Sequence, residues 1–559
     1  MPTNPHRPMS KRSSWQICYW SGVVILFAWA VWQRFALPLD PIADSDTWGY
    51  LSPALRKLIG VEFGHTSGRN FIYPGFVYLL LRIFRDFRAI TVAQHFFGLL
   101  AGGILLLTWQ RVRVFVAHPR VGSVGYNALG LLAAAVFLLA SEPIHCEMQL
   151  RPEGACAFLF SINLYFVIQF AACCFIEGRQ AASAACGVTA VLTSILLASV
   201  KPAFALAAIV ALLPIAIFFF RPGWFRQKIV LAGGAAASAT LLLLPEHLVS
   251  RNDEVSETFL PTTLFVVHAN LIHDQIADDL EHNAKVPYSR EWLERVYTIL
   301  SAEIAKRHAA IAGHYASLGF DHDDLMLNPN SISVQLRRES ANDVSALCAF
   351  YRFYYWRIWR QRPLRVFKRI ARQMMIFYAP VCPVYRQTKF LPLANEYDRG
   401  VISFDRERFR KIWTAYPPAV EFMARTEVLA RTAPVVQQRA YIRKPLHILA
   451  ATYLISILIA LVLSATVLSS EEHRRRLGWL AVLVLFTYSY NIASCLEVAV
   501  VESLEVRRFI TVQMFPALLA QFFTLWFILE FALEMRARKK SSCSDTGSIY
   551  RSRLDVRCE

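Results

Sequence analysis

Long apolar runs separated by short polar segments make up most of this chain. Each run holds about 20 residues, the length at which a helix crosses the hydrocarbon core of a bilayer. Because hydrocarbon offers the backbone no hydrogen-bond partner, each run is predicted to be helical. The ten predicted spans are residues 16–37, 89–109, 125–144, 154–175, 181–200, 203–220, 229–247, 446–469, 478–496 and 509–534. The first run has no small-residue cleavage pattern, so we expect it to remain as the first span.

Lysine and arginine cluster at alternate ends of these runs, and this pattern predicts their orientation. The five clusters are Arg7, Lys11 and Arg12; Arg111, Arg113 and Arg120; Arg221, Arg226 and Lys228; Arg474, Arg475 and Arg476; and Arg536, Arg538, Lys539 and Lys540. Basic residues beside spans stay in the cytoplasm, so all five clusters are expected there. We therefore interpret the net charge of +18 as a topology signal and expect no nucleic-acid partner.

Phe71–Phe84 is apolar but short for a span, at roughly 14 residues. It contains Pro74 and Gly75 and is flanked by arginines. Counting it as a span would reverse the rest of the chain and move two basic clusters outside. We therefore predict a helix lying along the outer membrane surface, with a short true span as the alternative.

With ten spans, most polar residues near span ends fall on the outer face. The external segments are residues 38–88, 141–153, 200–202, 248–445 and 497–508. The predicted units are an N-terminal membrane module (1–247) with a first external loop (38–88), an external insert (248–445), C-terminal membrane helices (446–534) and a disordered basic cytoplasmic tail (535–559). The insert has ordinary soluble composition, and its helical periodicity covers residues 289–316, 333–372 and 403–431. The predicted fold class is an all-α polytopic membrane protein.

Two carboxylates, Asp44 and Asp46, directly follow the first span. A carboxylate can act as a general base toward a hydroxyl or amine acceptor, and a phosphate leaving group needs cations nearby. The cations predicted on the same face are Arg69, Arg151, Lys201, Arg507 and Arg508. The sequence has no Walker loop and no dinucleotide fingerprint. This combination favours transfer from a lipid-phosphate donor over use of a soluble nucleotide.

Each of these candidates also has a purely structural interpretation. Asp44 or Asp46 could cap the helix that follows. Lys201 needs a counter-charge if it is buried, and Glu153 or a donor phosphate could supply it. Arg151 could instead pair with Glu153. These alternatives stay open at the level of sequence.

Several short motifs, taken in order and on one face, resemble those of membrane-embedded glycosyltransferases of the GT-C fold. They are Asp46-Thr-Trp-Gly-Tyr50-Leu51, Tyr73-Pro74-Gly75, His145-Cys-Glu147 with Arg151-Pro152-Glu153, Ser199-Val-Lys201-Pro202, and Glu505-Val-Arg507-Arg508-Phe509 with Pro516. The resemblance covers residues 16–247 and, more loosely, residues 446–534. It implies a GT-C bundle with a juxtamembrane helix in the first external loop. Phe509 stands where the family often has tyrosine, which leaves the roles of the two preceding arginines open.

The resemblance implies inverting sugar transfer from a polyprenyl-phosphate donor to a lipid, glycan or protein acceptor on the outer face. It implies Asp46 as the catalytic base and Asp44 as a second carboxylate. The implied phosphate-binding residues are Arg69, Arg151, Lys201, Arg507 and Arg508, and the implied acceptor-pocket residues are His145, Glu147 and Glu153. Some family members, the oligosaccharyl transferases, use a divalent ion, which Asp44, Asp46 and Glu147 could assemble. Many members do not, and we expect no cofactor or metal here.

The main alternative is a transporter or flippase for an anionic or lipid-linked substrate. Such a protein would show internal repeats and polar or broken helices at mid-bilayer, whereas the charged residues here gather at one rim. A catalytically inactive scaffold is a third interpretation, and it predicts that Asp46 tolerates replacement. The absence of eukaryotic sorting signals favours a bacterial inner membrane with the site on the periplasmic face.

Overall fold

The computed structural model describes residues 11–63, 70–250, 254–310, 330–378, 381–385, 389–501 and 507–555. Up to residue 250 the α-helices are α1 (Lys11–Phe35), α2 (Thr47–Leu58), α3 (Ile72–Phe84), α4 (Arg88–Val112), α5 (Ser123–Leu139), α6 (Ser141–Met148), α7 (Glu153–Ala171), α8 (Gln180–Val200), α9 (Ala205–Ala211), α10 (Leu213–Phe220) and α11 (Phe225–Ser250). A π-helical turn, Ala172–Glu177, continues α7, and 3₁₀ turns occupy Arg113–Phe115 and Pro202–Phe204.

The remaining elements also are almost all helical. The α-helices are α12 (Glu254–Val267), α13 (Ala269–Glu281), α14 (Arg290–Ala310), α15 (Ile332–Glu339), α16 (Val344–Gln361), α17 (Pro363–Tyr378), α18 (Leu393–Phe404), α19 (Glu407–Thr414), α20 (Pro417–Thr432), α21 (Ala440–Ser469), α22 (Glu471–Val501), α23 (Arg507–Val512) and α24 (Met514–Asp555). A 3₁₀ turn covers Pro383–Tyr385, and two short strands, β1 (Phe390–Pro392) and β2 (Val435–Gln437), pair antiparallel.

Among the described residues, nine helices are long and apolar enough to cross a membrane. They are Trp15–Phe35, Arg88–Phe115, Glu153–Glu177, Gln180–Val200, Pro202–Phe220, Phe225–Leu248, Ala440–Ser469, Glu471–Val501 and Met514–Arg538. The pair α5–α6 makes a tenth if it counts as one span, with a bend of 47°. Each predicted run coincides with one of these, so an all-α, multi-pass membrane protein is confirmed. The bend has a local cause, because Pro143 has no N–H to continue the hydrogen-bond ladder of α5.

Several of the predicted cytoplasmic basic clusters lie together at one end of the bundle. Arg111 at the end of α4 pairs with Glu177 beyond α7, with Nη1 2.6 Å from the carboxylate. Arg476 near the start of α22 donates to the carbonyl of His118, which follows α4, at 2.6 Å. The first contact joins the C-terminal ends of α4 and of the π-turn after α7, and the second joins the chain after α4 to the N-terminal end of α22, so these ends lie on one side of the bundle as the charge pattern predicts.

The first external loop leaves the bundle and returns at the same end. Arg88 at the start of α4 pairs with Asp40, which follows α1, at 3.3 Å. The helix between them, α3, has 13 residues and is therefore about 20 Å long. This is shorter than the roughly 30 Å hydrocarbon core. The loop therefore begins and ends at one level, with α3 between.

The insert packs as two helical lobes on different parts of that end. Helices α12–α16 share a core that includes Phe265 and Tyr351 and reaches Ala499 near the end of α22. Helices α18–α20 share a core with the first external loop, in which Trp48 packs beside Phe404. Helices occupy most of the described residues in the three periodic segments found in the sequence.

One part of the insert departs from the expectation of a wholly external unit. Phe377, Cys382 and Tyr385 are buried within the core of the membrane bundle. Tyr378 donates to the side chain of Asn491 on α22 at 3.2 Å. The chain thus returns to the bundle well before residue 445, and Cys382 and Tyr385 of this segment are enclosed by protein.

Candidate functional site

A short backbone pairing attaches the first external loop to the turn between α6 and α7. The N–H of Ile42 donates to the carbonyl of Met148 at 2.8 Å, and the N–H of Leu150 donates back to the carbonyl of Ile42 at 2.9 Å. Two residues beyond Ile42 lies Asp44, and one residue beyond Leu150 lies Arg151. The pairing therefore brings the predicted carboxylates to a predicted cation.

Asp44 is held by the backbone that follows it and by Arg151. Its Oδ1 accepts from the N–H groups of Asp46, at 2.9 Å, and Thr47, at 3.2 Å. Its Oδ2 forms an ion pair with Nη2 of Arg151. A side-chain oxygen that satisfies the first N–H groups of a helix acts as a cap. The capping interpretation thus applies to Asp44, which fixes the start of α2.

Asp46 sits at the N-cap position of α2 but its side chain makes no capping hydrogen bond. Its Oδ2 lies 3.7 Å from Nη2 of Arg151, and 28% of the side chain is exposed. The two carboxylates therefore lie beside one guanidinium but differ in whether they cap the helix. Asp44 is tied to backbone N–H groups, and Asp46 is the more accessible member.

Lys201 and Glu153 form a second, more deeply buried ion pair. Glu153 begins α7, Lys201 directly follows α8, and Nζ lies 2.7 Å from Oε1. The Glu153 side chain is 1% exposed. Nζ also lies 4.9 Å from the centroid of the Phe509 ring, a cation–π distance. Of the alternatives left open by the sequence, Glu153 is the counter-charge of Lys201, and Arg151 pairs with the aspartates instead.

Tyr73 and Gln94 form hydrogen bonds that hold the turn just before Arg151 and Glu153. The Tyr73 hydroxyl donates to Oε1 of Gln94 at 2.9 Å. The Gln94 amide in turn donates to the carbonyls of Glu147 and Gln149, both at 2.8 Å. Burial, followed by the negative charge of Glu153, raises the pKa of Tyr73 well above its ordinary value. The phenol therefore stays neutral and keeps donating at physiological pH, which holds the turn before α7 against α4.

Glu147 belongs to a buried charged cluster rather than to an open pocket. Its two oxygens accept from Nε and Nη2 of Arg34, each at 2.8 Å. Oε2 also lies 2.8 Å from Nδ1 of His95. Arg34 and His95 are fully buried, and Glu147 is 3% exposed. Because Glu147 is four residues before Arg151, we infer that this cluster fixes the turn that carries that arginine.

The three residues predicted for an acceptor pocket lie in separate surroundings. Glu147 is bound in the arginine–histidine cluster, and Glu153 is bound to Lys201. His145 lines a cavity of about 30 Å³ between α6 and the strand segments that contain Leu391 and Val436. A cavity of that size accommodates about one water molecule. Within the described part of the chain, these three residues therefore have different immediate partners.

The remaining predicted phosphate-binding residues are described only in part. Arg69 lies outside the described residues. Arg507 and Arg508 begin α23, whose backbone packs against α6 and α7, and only their backbone is described. Their helix is thus close to the elements that carry Arg151 and Glu153. Among the described residues, no group of three histidine, cysteine or acidic side chains is arranged to hold a metal ion.

The second lobe of the insert covers the first external loop. Trp48 donates from its indole N–H to the carbonyl of Ser403 at 3.1 Å, and its ring stacks on Phe409 with centroids 4.1 Å apart. Asp40, at the start of the loop, pairs with Arg425 on α20 at 2.7 Å. The loop that carries the aspartates is therefore fixed from both sides, by the α6–α7 turn and by the insert.

Arg34, His95 and Gln94 also belong to this region, and none of them was predicted from the sequence. The available signal was three polar side chains at positions within or beside apolar runs, where an isolated polar group is costly. Comparison with protein-family models, with curated proteins and with solved structures finds no match to this chain.

Proposed function

We propose that this chain is a membrane-embedded inverting glycosyltransferase with Asp46 as its general base. In this proposal it moves a sugar from a polyprenyl-phosphate donor to an acceptor on the outer face of a bacterial inner membrane. The observation that carries the proposal is the pairing of Asp44 and Asp46 with Arg151 at one end of the bundle. The motif resemblance described above supplies the reaction class.

The proposed step is a displacement at the anomeric carbon of the donor sugar. Asp46 takes the proton from the acceptor hydroxyl as its oxygen attacks that carbon from the face opposite the phosphate. The bond between the sugar and the phosphate oxygen breaks, the configuration inverts, and the polyprenyl phosphate leaves with the electron pair. Negative charge develops on the departing oxygen, so a nearby cation lowers the barrier.

The division of roles between the aspartates follows from their contacts. Asp44 accepts two backbone N–H bonds and pairs with Arg151. These contacts suit a residue that orients the loop and the guanidinium. Asp46 makes no capping bond at its own helix and is more exposed, so it suits contact with a substrate hydroxyl.

Lys201 is the described cation best suited to the donor phosphate. Its ammonium group donates to Glu153 at 2.7 Å and lies 4.9 Å from the centroid of the Phe509 ring on α23. The short helix α23 carries Phe509 against Lys201 and begins with Arg507 and Arg508. A phosphate beside Lys201 would therefore also lie near the start of that helix.

The test is sugar transfer by purified protein in vesicles supplied with short-chain polyprenyl-phosphate sugars. Asp46→Asn should lower kcat by about a hundredfold or more, the usual contribution of a general base. Asp44→Asn should lower activity because it removes the ion pair with Arg151, whereas the cap should be kept, since asparagine caps a helix about as well as aspartate. Asp405→Asn, an exposed aspartate on the insert, is the matched control and should leave transfer unchanged.

Two outcomes would contradict the proposal. Full transfer by the Asp44→Asn, Asp46→Asn double variant would remove both carboxylates from the mechanism. Movement of the intact donor across the membrane without sugar transfer would instead identify a transporter. Supplying donor to inside-out and right-side-out vesicles separately tests the predicted face.

A further inference from the structure

Helix α17 has an apolar stripe on its exposed side. Val366 and Phe377 are fully buried and attach the helix to the rest of the protein. Leu364, Phe367 and Met375 lie on a different side of the helix and are 81%, 66% and 60% exposed. At 100° per residue, these three positions form one stripe along the whole helix. An exposed apolar stripe of this length indicates a surface that binds a protein, a ligand or a membrane.

Cations border this stripe on one side. Lys368 and Arg372 are one helical turn apart, and both side chains are exposed. Arg365, on the same side, pairs with Asp274 at 3.3 Å. Basic residues beside an exposed aromatic and aliphatic stripe are typical of helices that lie in a membrane interface.

The contacts of α17 give its depth along the bundle. Tyr378 at its end donates to Asn491, and Arg369 donates to the carbonyl of Ala499 at 2.9 Å. Both partners belong to α22, a candidate span. From Arg369 to Tyr378 the helix rises about 13 Å. It therefore descends beside the final turns of a span, from the level of the span's end into the level of hydrocarbon.

We propose that α17 is inserted obliquely in the leaflet at this end of the bundle and binds anionic phospholipid. Phe367 and Met375 contact acyl chains, and Lys368 and Arg372 bind lipid phosphates. Charge complementarity and the contacts of α17 with the candidate span α22 favour a lipid over a protein occupant. Long basic side chains can reach the headgroups while their stems stay on the apolar surface. This proposal does not depend on the proposed enzymatic activity.

The depth of α17 can be measured with a fluorescent label on the full chain in lipid nanodiscs. A bimane label at Phe367→Cys would be compared with one at Ile402→Cys, since the native residues are 66% and 65% exposed and both belong to the insert. Ile448→Cys, on the span α21, is the lipid-facing control. The labelling background replaces the exposed Cys18 and the C-terminal Cys543 and Cys558 with serine.

Brominated acyl chains quench a label that lies in the hydrocarbon, and aqueous iodide quenches a label that lies in water. The label at position 367 should be quenched by brominated lipid as at position 448 and protected from iodide. The label at position 402 should show the reverse. Quenching at position 367 that matches position 402 would overturn the proposal. Protection at position 367 from both quenchers would also overturn it, since this would indicate a protein partner.

The headgroup preference is tested by placing the bromine on either phosphatidylglycerol or phosphatidylcholine in mixed nanodiscs. The label at position 367 should favour the anionic lipid, by about fivefold for each interfacial cation. In the Lys368→Gln, Arg372→Gln double variant, the ratio of quenching by phosphatidylglycerol to quenching by phosphatidylcholine should be close to one. Arg399→Gln, an exposed cation on α18, should leave it unchanged. Equal quenching by both lipids in the unaltered helix would refute the phosphate contacts.

Discussion

Gly98 on α4 faces the carboxylate of Glu147 directly. A Cβ added at this glycine would overlap Oε1 of Glu147. That oxygen cannot move freely, because the carboxylate is held by Arg34 and His95 through contacts of 2.8 Å. Gly98→Ala should therefore force the carboxylate out of its ion pair, although alanine is otherwise the better residue for a helix.

Gly103 provides a matched control five residues along the same helix. A Cβ at Gly103 would meet Phe27 at 3.9 Å, an ordinary contact. Gly103→Ala should thus gain about 0.5–1 kcal/mol from helix propensity alone. Disrupting a buried ion pair costs about 3–5 kcal/mol, so Gly98→Ala should lose about 2–4 kcal/mol after the same gain. The two variants should differ in sign as well as in size.

The assay is thermal unfolding in detergent, followed with a dye that reacts with cysteines as they become exposed. The chain suits this measurement because Cys146, Cys156 and Cys173 are among several buried free thiols. Tm should fall for Gly98→Ala and hold or rise for Gly103→Ala. Glu147→Asp shortens the side chain by one methylene, so its cost should be smaller in the Gly98→Ala background. Equal Tm shifts in both alanine variants would refute the argument.

Three further expectations concern other contacts. Lys201→Met should lower the free energy of unfolding by about 3–5 kcal/mol, because Glu153 remains buried without its ion pair. Adding Glu153→Gln should recover much of the lost Tm. No recovery would mean that loss of this ion pair does not cause the destabilisation. Trp48→Ala should lower the free energy of unfolding by about 3–5 kcal/mol and increase limited proteolysis of the second lobe. Trp356→Ala, at a side chain that is 59% exposed, should change the free energy of unfolding by no more than about 0.5 kcal/mol. Similar losses in the two variants would argue against the Trp48 stack. Burial, followed by the charge of a nearby arginine, lowers the pKa of His268 from 6.5 to about 3. As the pH falls below 6.5, the unfolded chain therefore binds a proton that the folded chain does not. The free energy of unfolding should fall by about 1.4 kcal/mol for each pH unit from pH 6.5 down to pH 3. The Tm of His268→Gln should depend less steeply on pH over that window, and an unchanged slope would exclude this histidine.

The spans could be predicted because their signal is local. An apolar run of sufficient length must become a helix in lipid, and the basic clusters order the ends. The first two helices of the insert, α12 and α13, were missed by the periodicity analysis. Their cores form with residues far along the chain, since Phe265 packs with Tyr351. The return of residues 377–385 to the bundle likewise depends on distant partners such as Asn491.

At the candidate site, the sequence identified residue types but not their partners. Both aspartates and Arg151 were predicted as site residues, and the structure places them in contact. It could not say which aspartate caps α2, because that depends on backbone geometry at Asp44. It also grouped Glu147 with an acceptor pocket, although its partner Arg34 is 113 positions away. Pairings across such separations are determined by how the spans pack.

The contact between Trp48 and Ser403 has a consequence for biogenesis. The two residues are 355 positions apart, and a ribosome adds about 5–20 residues per second. The first external loop therefore emerges roughly 20 to 70 s before the surface that covers it has been synthesised. During this interval the indole and the aspartates beside it have no insert to fold against. The time at which this loop reaches its final arrangement is thus set by synthesis of the insert, and not by insertion of the first span.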